Sequence, residues 1–455
     1  MSYYHFIAIG GAGMSGLARV LLEQGFAVSG SDIKASEITR RLEAMGAKVR
    51  IGHAPEHIPE EATTVVVSSA IHEDNPEVVE AKRRSLRLMH RGDLLAMVMG
   101  HDSGVAVAGA HGKTTTTSMI AMVLDKADLD PTVLIGGEVS DFGGNAKVGK
   151  GKYVVAEADE SDGSFLKLEP LVAVITNVDN DHLDFYCTIE NVKGAFSQFA
   201  GRVVPGGTVV YCHDDGNARE IMAGKHVKTV SYGLEPGVDI GARDIHKRPW
   251  GSSFTVFSGG VSRGTIELQV PGTHNVLNAL AAVAVGRVLG IDHDSIAGGL
   301  HAFKGAQRRL QLTGRTNGVT VLDDYAHHPT EIRASLRAIR DQVDGRVICI
   351  YQPHRFSRTL ALADDFGRAF GSCDNLILAS IYAGPGEQPV NGVDSEIIRA
   401  AVERHGGPDA VYIGQWESII EKALSLARPG DTIVTMGAGD IYKLGPSILE
   451  RLNAR

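Results

Sequence analysis

The stretch VAVAGAHGKTTTT, residues 105–117, decides the fold class, because an apolar strand runs into a glycine-containing loop and then into a helix. Residues 109–114 end like a Walker loop, although the strict spacing requires glycine at position 107, where the chain has Val107. In such a loop, backbone N–H groups hold phosphates, Lys113 meets the β- and γ-phosphates, and the Thr114 hydroxyl binds Mg²⁺. The loop predicts an enzyme that consumes ATP. The structural alternative is a lysine on an ordinary strand-to-helix loop.

Outward from this loop, strand-like apolar runs alternate with helical patterns along the chain, which predicts α/β layers. Several runs are nearly all apolar, as in parallel strands that are buried on both faces. At roughly 100–200 residues per domain, the 455 residues allow two to four domains. We place the domains at 1–98, 99–311 and 312–455. The strand-like runs are Phe6–Ile9, Ala27–Gly30, Thr64–Ser68, Gly104–Ala108, Tyr153–Ala156, Val172–Thr176, Val347–Tyr351, Asn375–Ala379 and Thr432–Met436.

The composition excludes several classes of protein. The net charge of −9 and the pI of about 6.1 argue against a nucleic-acid partner. The four cysteines form no C-x-x-C pair, so neither a zinc site nor a disulfide framework is predicted. The N-terminus lacks the pattern of a signal peptide, and no apolar stretch has the length of a membrane span. We therefore expect a cytoplasmic protein with no membrane partner.

A second glycine-rich loop lies near the N-terminus. Residues Gly11–Gly16 match G-x-G-x-x-G between a strand and the predicted helix Leu17–Gln24, and the next strand leads to Asp32. The glycines let backbone N–H groups approach a diphosphate, and Asp32 could accept a ribose hydroxyl. A nicotinamide-dependent dehydrogenase is one reading, and a tight turn that binds nothing is another. Because the chain carries two phosphate loops, we expect one nucleotide to be consumed as fuel and the other to be the part of the substrate that the protein recognises.

Acidic residues follow two strands of the second segment. Glu157 ends one run, and His182 follows the next. Ligands gather at the carboxyl ends of parallel strands, so both side chains should lie near the phosphate loop. We expect Glu157 as a first ligand of Mg²⁺ and His182 as a ligand of a second ion. For Asp159, Glu160 and Asp162, taken singly, we expect solvated strand ends. Further on, PGTHNVLNA (271–279) opens a predicted helix Ala279–Leu289, and its Asn and His side chains either contact a purine or ribose or cap the helix.

Several motifs in one order carry a family resemblance. They are IGGAGMSGLA, SGSD, AGAHGKTTTTSM, EADESDGSFL, TNVDNDHLDFY, PGTHNVLNALAA, DDYAHHPTEI, QPHRFSRT and GAGDIYKLG. Over essentially the whole chain, the sequence resembles the Mur ligases, which build the cytoplasmic peptidoglycan precursor, and within them the alanine-adding branch. The relative to exclude is the recycling ligase that joins a ready-made peptide to the same sugar. That enzyme typically shows DEYD where this chain has Asp159-Glu160-Ser161-Asp162.

The resemblance implies a three-domain α/β architecture: a Rossmann-like domain for the UDP-sugar, a central P-loop ATPase domain and a Rossmann-like C-terminal domain. It implies ATP-dependent ligation of L-alanine to UDP-N-acetylmuramate through an acyl phosphate, with Mg²⁺, or Mn²⁺ in its place. We expect a monomer or a homodimer. The implied ATP-binding residues are Gly109, Ala110, His111, Gly112, Lys113, Thr114, Thr115, Asn275, Asn278, Arg309 and Asp324. Those implied for the UDP-sugar are Gly11, Ala12, Gly13, Met14, Ser15, Ser31, Asp32, Ser69 and Arg91.

The remaining implied roles concern the metal, the amino acid and catalysis. Thr114, Glu157 and His182 would bind metal, and Tyr325, His327, Arg355 and Arg358 would surround alanine. The catalytic residues would be Lys113, Glu157, His182 and His327. A guanidinium can hold the alanine carboxylate bidentately, and the pKa of a histidine suits a group that orients or deprotonates the ammonium.

Two positions depart from the family pattern. Ala110 stands where the family usually has threonine, which removes one hydroxyl but no backbone donor, so we expect the change to be tolerated. Ser197 stands where several sister ligases carry a carbamoylated lysine. The alanine-adding branch generally lacks that lysine, so Ser197 agrees with the branch assignment.

Overall fold

The structure is a computed structural model that describes residues 2–100, 103–139, 144–384 and 387–454. The chain divides into two compact units. The first comprises Met1–Ile245, Ser253–Glu267 and Val276–Lys304, and the second comprises His246–Ser252, Leu268–Asn275 and Gly305–Arg455. Within the described ranges, no helix combines the length and the apolar character that a membrane crossing requires.

The N-terminal sheet is parallel, with the strand order β3-β2-β1-β4-β5. The order reverses between β1 and β4, and ligands bind at such a switch point in open α/β sheets. The loops that follow β1 and β4 therefore flank the natural binding crevice of this sheet. The strands are β1 (Tyr3–Ile7), β2 (Ala27–Asp32), β3 (Lys48–Ile51), β4 (Thr64–Val67) and β5 (Arg87–His90), and the helices are α1 (Ala12–Glu23), α2 (Glu37–Ala44), α3 (Pro76–Arg83) and α4 (Arg91–Met99).

The first strand and helix differ from the sequence prediction. The strand predicted at Phe6–Ile9 begins at Tyr3 and ends at Ile7, because Ala8 adopts a left-handed conformation with φ of 61°. The helix predicted at Leu17–Gln24 begins at Ala12, directly after Gly11. Most of the glycine motif therefore lies in the first turns of the helix, which aims its unpaired N–H groups at the crevice.

The central sheet has the order β15-β14-β13-β12-β11-β10-β6-β9-β7-β8, and it is parallel from β13 to β7. The strand β6 lies between β10 and β9, so the segments after all three strands meet at one edge. The strands are β6 (Gly104–Ala108), β7 (Thr132–Val139), β8 (Gly144–Lys147), β9 (Val154–Glu157), β10 (Val172–Ile175), β11 (Thr208–Cys212), β12 (Lys228–Gly233), β13 (Ile240–Arg248), β14 (Gly251–Ser258) and β15 (Val261–Leu268). The helices of this region are α5 (Lys113–Lys126), α6 (Leu183–Tyr186), α7 (Ile189–Ala200), α8 (Gly216–Met222), α9 (Thr273–Val288) and α10 (His293–Ala302).

Within the first unit, α1 packs directly on the central sheet through Gly16. A Cβ atom at this position would lie 3.2 Å from Leu134 Cδ2 and 3.5 Å from the Ala146 Cβ. The last glycine of the motif thus permits close packing of a helix on strands β7 and β8. Met14 of the same helix and Leu134 belong to one apolar core.

The C-terminal sheet lies in the second unit and has the order β16-β17-β21-β18-β19-β20, with only the β16–β17 pair antiparallel among its described pairs. Its central strands are covered on both faces: Cys349 and Tyr351 enter one apolar core, and Ile348 and Ile350 enter another. The strands are β16 (Gln311–Thr316), β17 (Val319–Asp324), β18 (Val347–Tyr351), β19 (Asn375–Leu378), β20 (Asp409–Tyr412) and β21 (Thr432–Met436). The helices are α11 (Pro329–Arg340), α12 (Phe356–Ala361), α13 (Ala363–Gly367), α14 (Glu396–Arg404), α15 (Trp416–Leu426) and α16 (Leu444–Asn453). The prediction of α/β layers with mostly parallel sheets is confirmed.

A buried polar network fastens the N-terminal sheet to α3. Glu77, at the start of α3, is fully buried and accepts hydrogen bonds from Ser31 at 2.7 Å and His5 at 2.9 Å. Its second oxygen accepts the backbone N–H of Ala54 at 3.2 Å and lies 3.3 Å from His53 Nδ1. Burial opposes ionisation of Glu77, but the hydrogen bonds of His5 and Ser31 outweigh it and lower the pKa of the carboxyl.

We predict that Glu77→Ala destabilises the protein by about 2–4 kcal/mol, because it leaves buried donors on His5 and Ser31 without their acceptor. Urea unfolding at neutral pH measures the change. Glu73→Ala is the control, since the Glu73–Lys82 pair is exposed to solvent, and it should leave the unfolding midpoint unchanged. Equal unfolding midpoints for the Glu77 variant and the unchanged protein would contradict the assignment of this network as a stabilising element.

Candidate active site

The phosphate loop between β6 and α5 requires its two glycines. Gly109 has φ of +143°, and a Cβ atom there would lie 2.0 Å from the Thr176 hydroxyl. Gly112 has φ of +80° and immediately precedes α5. The loop therefore lies against the end of β10, and the free N–H groups at the start of α5 face the space above it. Position 109 therefore requires glycine, whereas Val107 is a buried residue within β6.

Asn177, which follows β10, holds the loop in place. Its side-chain oxygen accepts the His111 N–H at 2.9 Å, and its side-chain amide donates to the His111 carbonyl at 2.9 Å. The Ala110 N–H donates to the Asn177 carbonyl at 3.3 Å. The N–H groups of Ala110 and His111 are thus engaged by the protein. Those of Gly112, Lys113 and Thr114 have no acceptor among the described residues and can face a phosphate. Sequence reasoning missed Asn177, whose signal was its position after the strand next to β6.

Lys113 is held by a buried ion pair. Its ammonium donates to the Gly109 carbonyl at 2.6 Å and to Glu160 Oε1 at 2.6 Å. Glu160 is only 2% exposed, so the expectation of a solvated side chain is wrong: the loop after β9 turns back over the phosphate loop. Burial disfavours the ammonium, but Glu160 and Asp159 outweigh it and raise the pKa of Lys113. The lysine is therefore charged and pointed along the loop.

The three predicted metal ligands surround the same loop. Glu157, at the end of β9, accepts the Gly136 N–H at 2.9 Å and a hydrogen bond from Thr114, and burial raises its pKa. His182 has φ of 56°, and its Nε2 lies 3.6 Å from Glu160 Oε1. Burial lowers the pKa of His182, but Glu160 and Asp181 outweigh that effect and raise it.

These side chains fit a magnesium ion. A hydroxyl and a carboxylate, from Thr114 and Glu157, are the hard oxygen donors that Mg²⁺ prefers. Glu160 Oε2 lies buried at the same edge of the sheet and has no hydrogen-bond partner within the described ranges. Ser197, at the position of the sister enzymes' lysine, instead accepts hydrogen bonds from Lys225 at 2.6 and 3.0 Å.

Arg91 connects the N-terminal crevice to the acidic loop. Its guanidinium donates to Asp159 at 2.6 Å and to Asp162 at 3.1 Å, and a Cβ atom at Gly13 would lie 3.3 Å from its Nη1. Ser69 donates to Asp162 at 2.5 Å. We call these contacts the Arg91 bridge. The expectation that Asp159 and Asp162 are merely solvated is wrong, because the structure pairs both carboxylates with Arg91 at the start of α4.

The charges of the bridge set the protonation of its acids. Burial opposes ionisation of Asp159, but Arg91 and Lys113 outweigh it and hold its pKa well below the usual range. Burial also opposes ionisation of Asp162, whose pKa is lowered by Ser164, Ser69 and Arg91. An arginine, a lysine and their acids thus form a continuous charged array between the start of α1 and the phosphate loop.

The other residues that are predicted to bind the UDP-sugar differ in their exposure to solvent. Gly11, Ala12 and Gly13 are exposed at the crevice, whereas Met14, Ser15 and Ser31 are buried. Asn145 donates to the Ala12 carbonyl at 2.5 Å and to the Ser15 hydroxyl at 2.8 Å. Asp32, expected at a ribose, accepts the Gly10 N–H at 2.9 Å. The Ser31 hydroxyl donates a hydrogen bond to Glu77 in the interior, so the structure shows a structural role for this residue.

The two asparagines of PGTHNVLNA lie in different surroundings. Asn278 accepts the Thr116 hydroxyl at 3.1 Å, and a Cβ atom at Gly112 would lie 2.7 Å from its Oδ1. Asn278 therefore contacts the phosphate loop from behind. Asn275 donates to the Pro271 carbonyl at 2.7 Å and so closes the turn before α9. Their predicted contacts with adenine and ribose stay predictions.

In the second unit, Arg309 and Asp324 share one polar cluster. Arg309 lies 3.3 Å from Glu331, and its guanidinium is 5.4 Å from the centre of the Tyr325 ring. Asp324 is 1% exposed and accepts the N–H groups of Leu310 and Ala326, each at 2.8 Å. Burial raises the pKa of Asp324 to about 6. Asp324 therefore holds the chain segment that carries Arg309.

The residues predicted around the amino acid converge on His354. The ring of His327 lies 5.9 Å from that of His354, and Arg358 Nη1 lies 3.3 Å from His354 Nδ1. Arg355 has φ of 70°, and its side chain lies against Gly384. His327 Nδ1 is 3.3 Å from Glu331. Sequence reasoning missed His354, although it lies within the quoted motif QPHRFSRT.

Matches to known proteins agree with this geometry. Three family models match in order: the "Mur ligase family, catalytic domain" at residues 3–103, the "Mur ligase middle domain" at 107–286 and the "Mur ligase, glutamate ligase domain" at 308–439. The UDP-N-acetylmuramate–L-alanine ligase of Pelotomaculum thermopropionicum is 50% identical over 451 residues, which are 99% of this chain and 97% of that protein. The protein of the same name from Desulforamulus reducens is 48% identical over 453 residues, 99% of this chain and 98% of its own.

Solved structures extend the likeness to the fold. The UDP-N-acetylmuramate–alanine ligase of Thermotoga maritima superposes with a TM-score of 0.83 at 27% identity and covers all of both chains. A murein peptide ligase from Psychrobacter arcticus superposes with a TM-score of 0.72 at 25% identity, over 100% of this chain and 99% of its own. Fold, site and relatives thus define an ATP-dependent ligase. The chain belongs to the Mur ligase family, and the predicted resemblance is confirmed.

We predict that the stability of the unchanged protein falls, relative to an Asp324→Asn variant, as the pH rises from 4 to 7. The pKa of the Asp324 carboxyl is about 6 in the folded protein and has the ordinary value of 3.8 in the unfolded chain. Between pH 3.8 and 6, the folded protein therefore binds a proton that the unfolded chain has released. This proton stabilises the folded protein at low pH, and the stabilisation is lost as the pH rises through 6. The difference should change by up to about 3 kcal/mol in favour of the variant. Urea unfolding of both proteins at pH 4.5 and 7.5 measures it, and a constant difference would contradict the raised pKa.

Proposed function

We propose that the protein joins L-alanine to the lactyl carboxylate of UDP-N-acetylmuramate with ATP, giving UDP-N-acetylmuramoyl-L-alanine, ADP and phosphate, in the cytoplasm. The observation that carries the proposal is the Arg91 bridge, which joins the Gly13 crevice to the acidic loop over Lys113. A substrate held at the crevice by its diphosphate can thereby present a carboxylate to the ATP site. Full-length relatives bearing the name of this activity support the choice of alanine.

The first step is activation of the carboxylate. A carboxylate does not react with an amine at neutral pH, because its oxygen is a poor leaving group. Transfer of the γ-phosphoryl group to that oxygen makes an acyl phosphate, and this transfer needs positioning and neutralisation of charge. Lys113 supplies a fixed positive charge, and the N–H groups of Gly112 and Thr114 supply oriented dipoles. Thr114, Glu157 and His182 would hold Mg²⁺, which neutralises phosphate charge when bound.

The second step is attack by the amine of alanine on the acyl phosphate, with loss of phosphate. The amino acid arrives as a zwitterion, so its carboxylate needs a cation and its ammonium needs to lose a proton. We assign the carboxylate to Arg355 and Arg358. We assign the ammonium to His327, whose contact with Glu331 at 3.3 Å orients the ring.

Phosphate release with UDP-N-acetylmuramate and ATP, run against a panel of amino acids, tests the proposal. Alanine should give the highest kcat/KM, with glycine and serine as the nearest competitors because of their size. A ready-made peptide in the panel tests the recycling activity, and NADH absorbance tests the dehydrogenase alternative. Phosphate release that depends on the peptide and not on alanine would contradict the proposal.

We predict that Lys113→Ala lowers the rate of product formation by about a thousandfold, since it removes the charge closest to the transferred phosphoryl group. Coupled phosphate release at saturating substrates measures the rate. Lys126→Ala, at the exposed end of the same helix, is the matched control and should retain the rate of the unchanged protein. Near-normal turnover in the Lys113 variant would show that Lys113 and its loop have no part in the reaction.

We predict that Arg355→Ala and Arg358→Ala mainly raise the KM for alanine, by about tenfold or more, since a hydrogen bond to a charged group contributes about 1.5–3 kcal/mol. Initial rates against alanine concentration, with ATP and the UDP-sugar saturating, measure the effect. Arg368→Ala removes an arginine from a surface pair with Asp364 and should leave the KM unchanged. If neither site variant changes the KM for alanine, the arginine clamp is wrong.

A further inference from the structure

The positive charge of the Lys113 ammonium is compensated by a carboxylate of the protein itself. Glu160 Oε1 accepts a hydrogen bond from the ammonium at 2.6 Å, and the Lys113 and Glu160 side chains are only 17% and 2% exposed. In P-loops generally, the lysine is the cation that meets the β- and γ-phosphates. Here that cation already has an anionic partner, so its charge is cancelled at short range.

The surroundings add further negative charge. Glu157, at the end of β9, and Asp159 precede Glu160 in the same acidic segment. Asp159 is balanced by Arg91 at 2.6 Å, and no such arginine or second lysine contacts Glu160 within the described ranges. A triphosphate that approaches the loop alone would therefore meet a carboxylate next to the lysine, in a setting where desolvation strengthens repulsion.

One oxygen of the Glu160 carboxylate accepts no hydrogen bond from the described residues. Its Oε2 is buried and unpartnered within the described ranges, while the backbone carbonyl of Glu160 is anchored by the Tyr186 hydroxyl at 2.6 Å. A buried carboxylate oxygen with no hydrogen bond costs free energy. Water carried by a bound cation can donate a hydrogen bond to this oxygen, so the carboxylate gains a partner when the cation is present without itself ligating it.

We propose that Glu160 makes nucleotide binding conditional on a divalent cation, so that the site accepts the magnesium complex of ATP and rejects free ATP. Glu160 is a positioning residue, since it acts through Lys113 and through the charge of the site. The inference rests on the proposed ATP site at Lys113. It assigns to Glu160 a selective role that is separate from holding the metal, which we assign to Thr114, Glu157 and His182.

The test is calorimetric binding of AMP-PNP, a non-hydrolysable ATP analogue, to the full chain with either EDTA or Mg²⁺ present. In the unchanged protein, the affinity without Mg²⁺ should be far below the affinity with it. Glu160→Gln keeps the size of the side chain and removes the charge. It should raise the affinity without Mg²⁺ by about tenfold and shrink the effect of Mg²⁺ correspondingly.

Two matched variants separate charge from structure. Glu160→Asp keeps the charge and should keep the dependence on Mg²⁺. Asp162→Asn removes a charge from the same loop, but its carboxylate contacts Ser69 and Arg91, so the affinity without Mg²⁺ should not rise. Thermal unfolding of each variant verifies that the fold is intact, and the Asp variant keeps the test decisive if the Gln variant fails to fold.

The possible outcomes are distinguishable. If Glu160→Gln leaves the affinity without Mg²⁺ unchanged and lowers only the affinity with Mg²⁺, Glu160 is a metal ligand and the inference is overturned. If Asp162→Asn matches Glu160→Gln, the effect is general charge loss and the inference is again overturned. Lys113→Met tests the underlying site: should it bind AMP-PNP as tightly as the unchanged protein, the proposed ATP site itself fails.

Discussion

The ion pair between Lys113 and Glu160 is the interaction on which the active-site geometry depends. A buried ammonium is tolerable only with an anionic partner within hydrogen-bond distance, here at 2.6 Å. To supply that partner, the segment after β9 must fold back over the phosphate loop. The same fold brings Asp159 and Asp162 to Arg91, and it brings His182 to within 3.6 Å of Glu160. The proposed metal ligands, the phosphate loop and the N-terminal crevice are thus organised around one pair of charges.

Glycines make this organisation sterically possible. The absence of a side chain at Gly109 lets the loop contact Thr176, and its absence at Gly16 lets α1 rest on β7 and β8. At Gly13, it leaves room for the Arg91 guanidinium. These positions lie in two separate motifs, yet all three serve close approach between segments that are distant in sequence. The glycine motif near the N-terminus therefore has a packing function in addition to its suitability for a diphosphate.

Several predicted site residues have structural contacts that a binding role alone would not require. Asp324 orders the segment of Arg309 through two backbone N–H groups, and Asn278 supports the phosphate loop through Thr116. Ser31 is bonded to Glu77 in the interior of the sheet. Binding sites at strand ends need rigid support, and these residues give it. Position in a motif identifies the neighbourhood of a site, whereas hydrogen bonds decide what each side chain does there.

The sequence by itself determined the α/β class, the two phosphate loops and the family, because periodic apolar runs and glycine spacing are local properties. It also located Lys113, Glu157 and His182 at one edge of a sheet, since parallel strands end together. It could not determine the roles of Glu160, Asn177 and His354, or the pairing of Arg91 with Asp159. Those depend on which strands are neighbours and on how loops fold back over them. Only the tertiary structure decided them, because the energy of a charge depends on its burial and on the partner that chain folding brings to it.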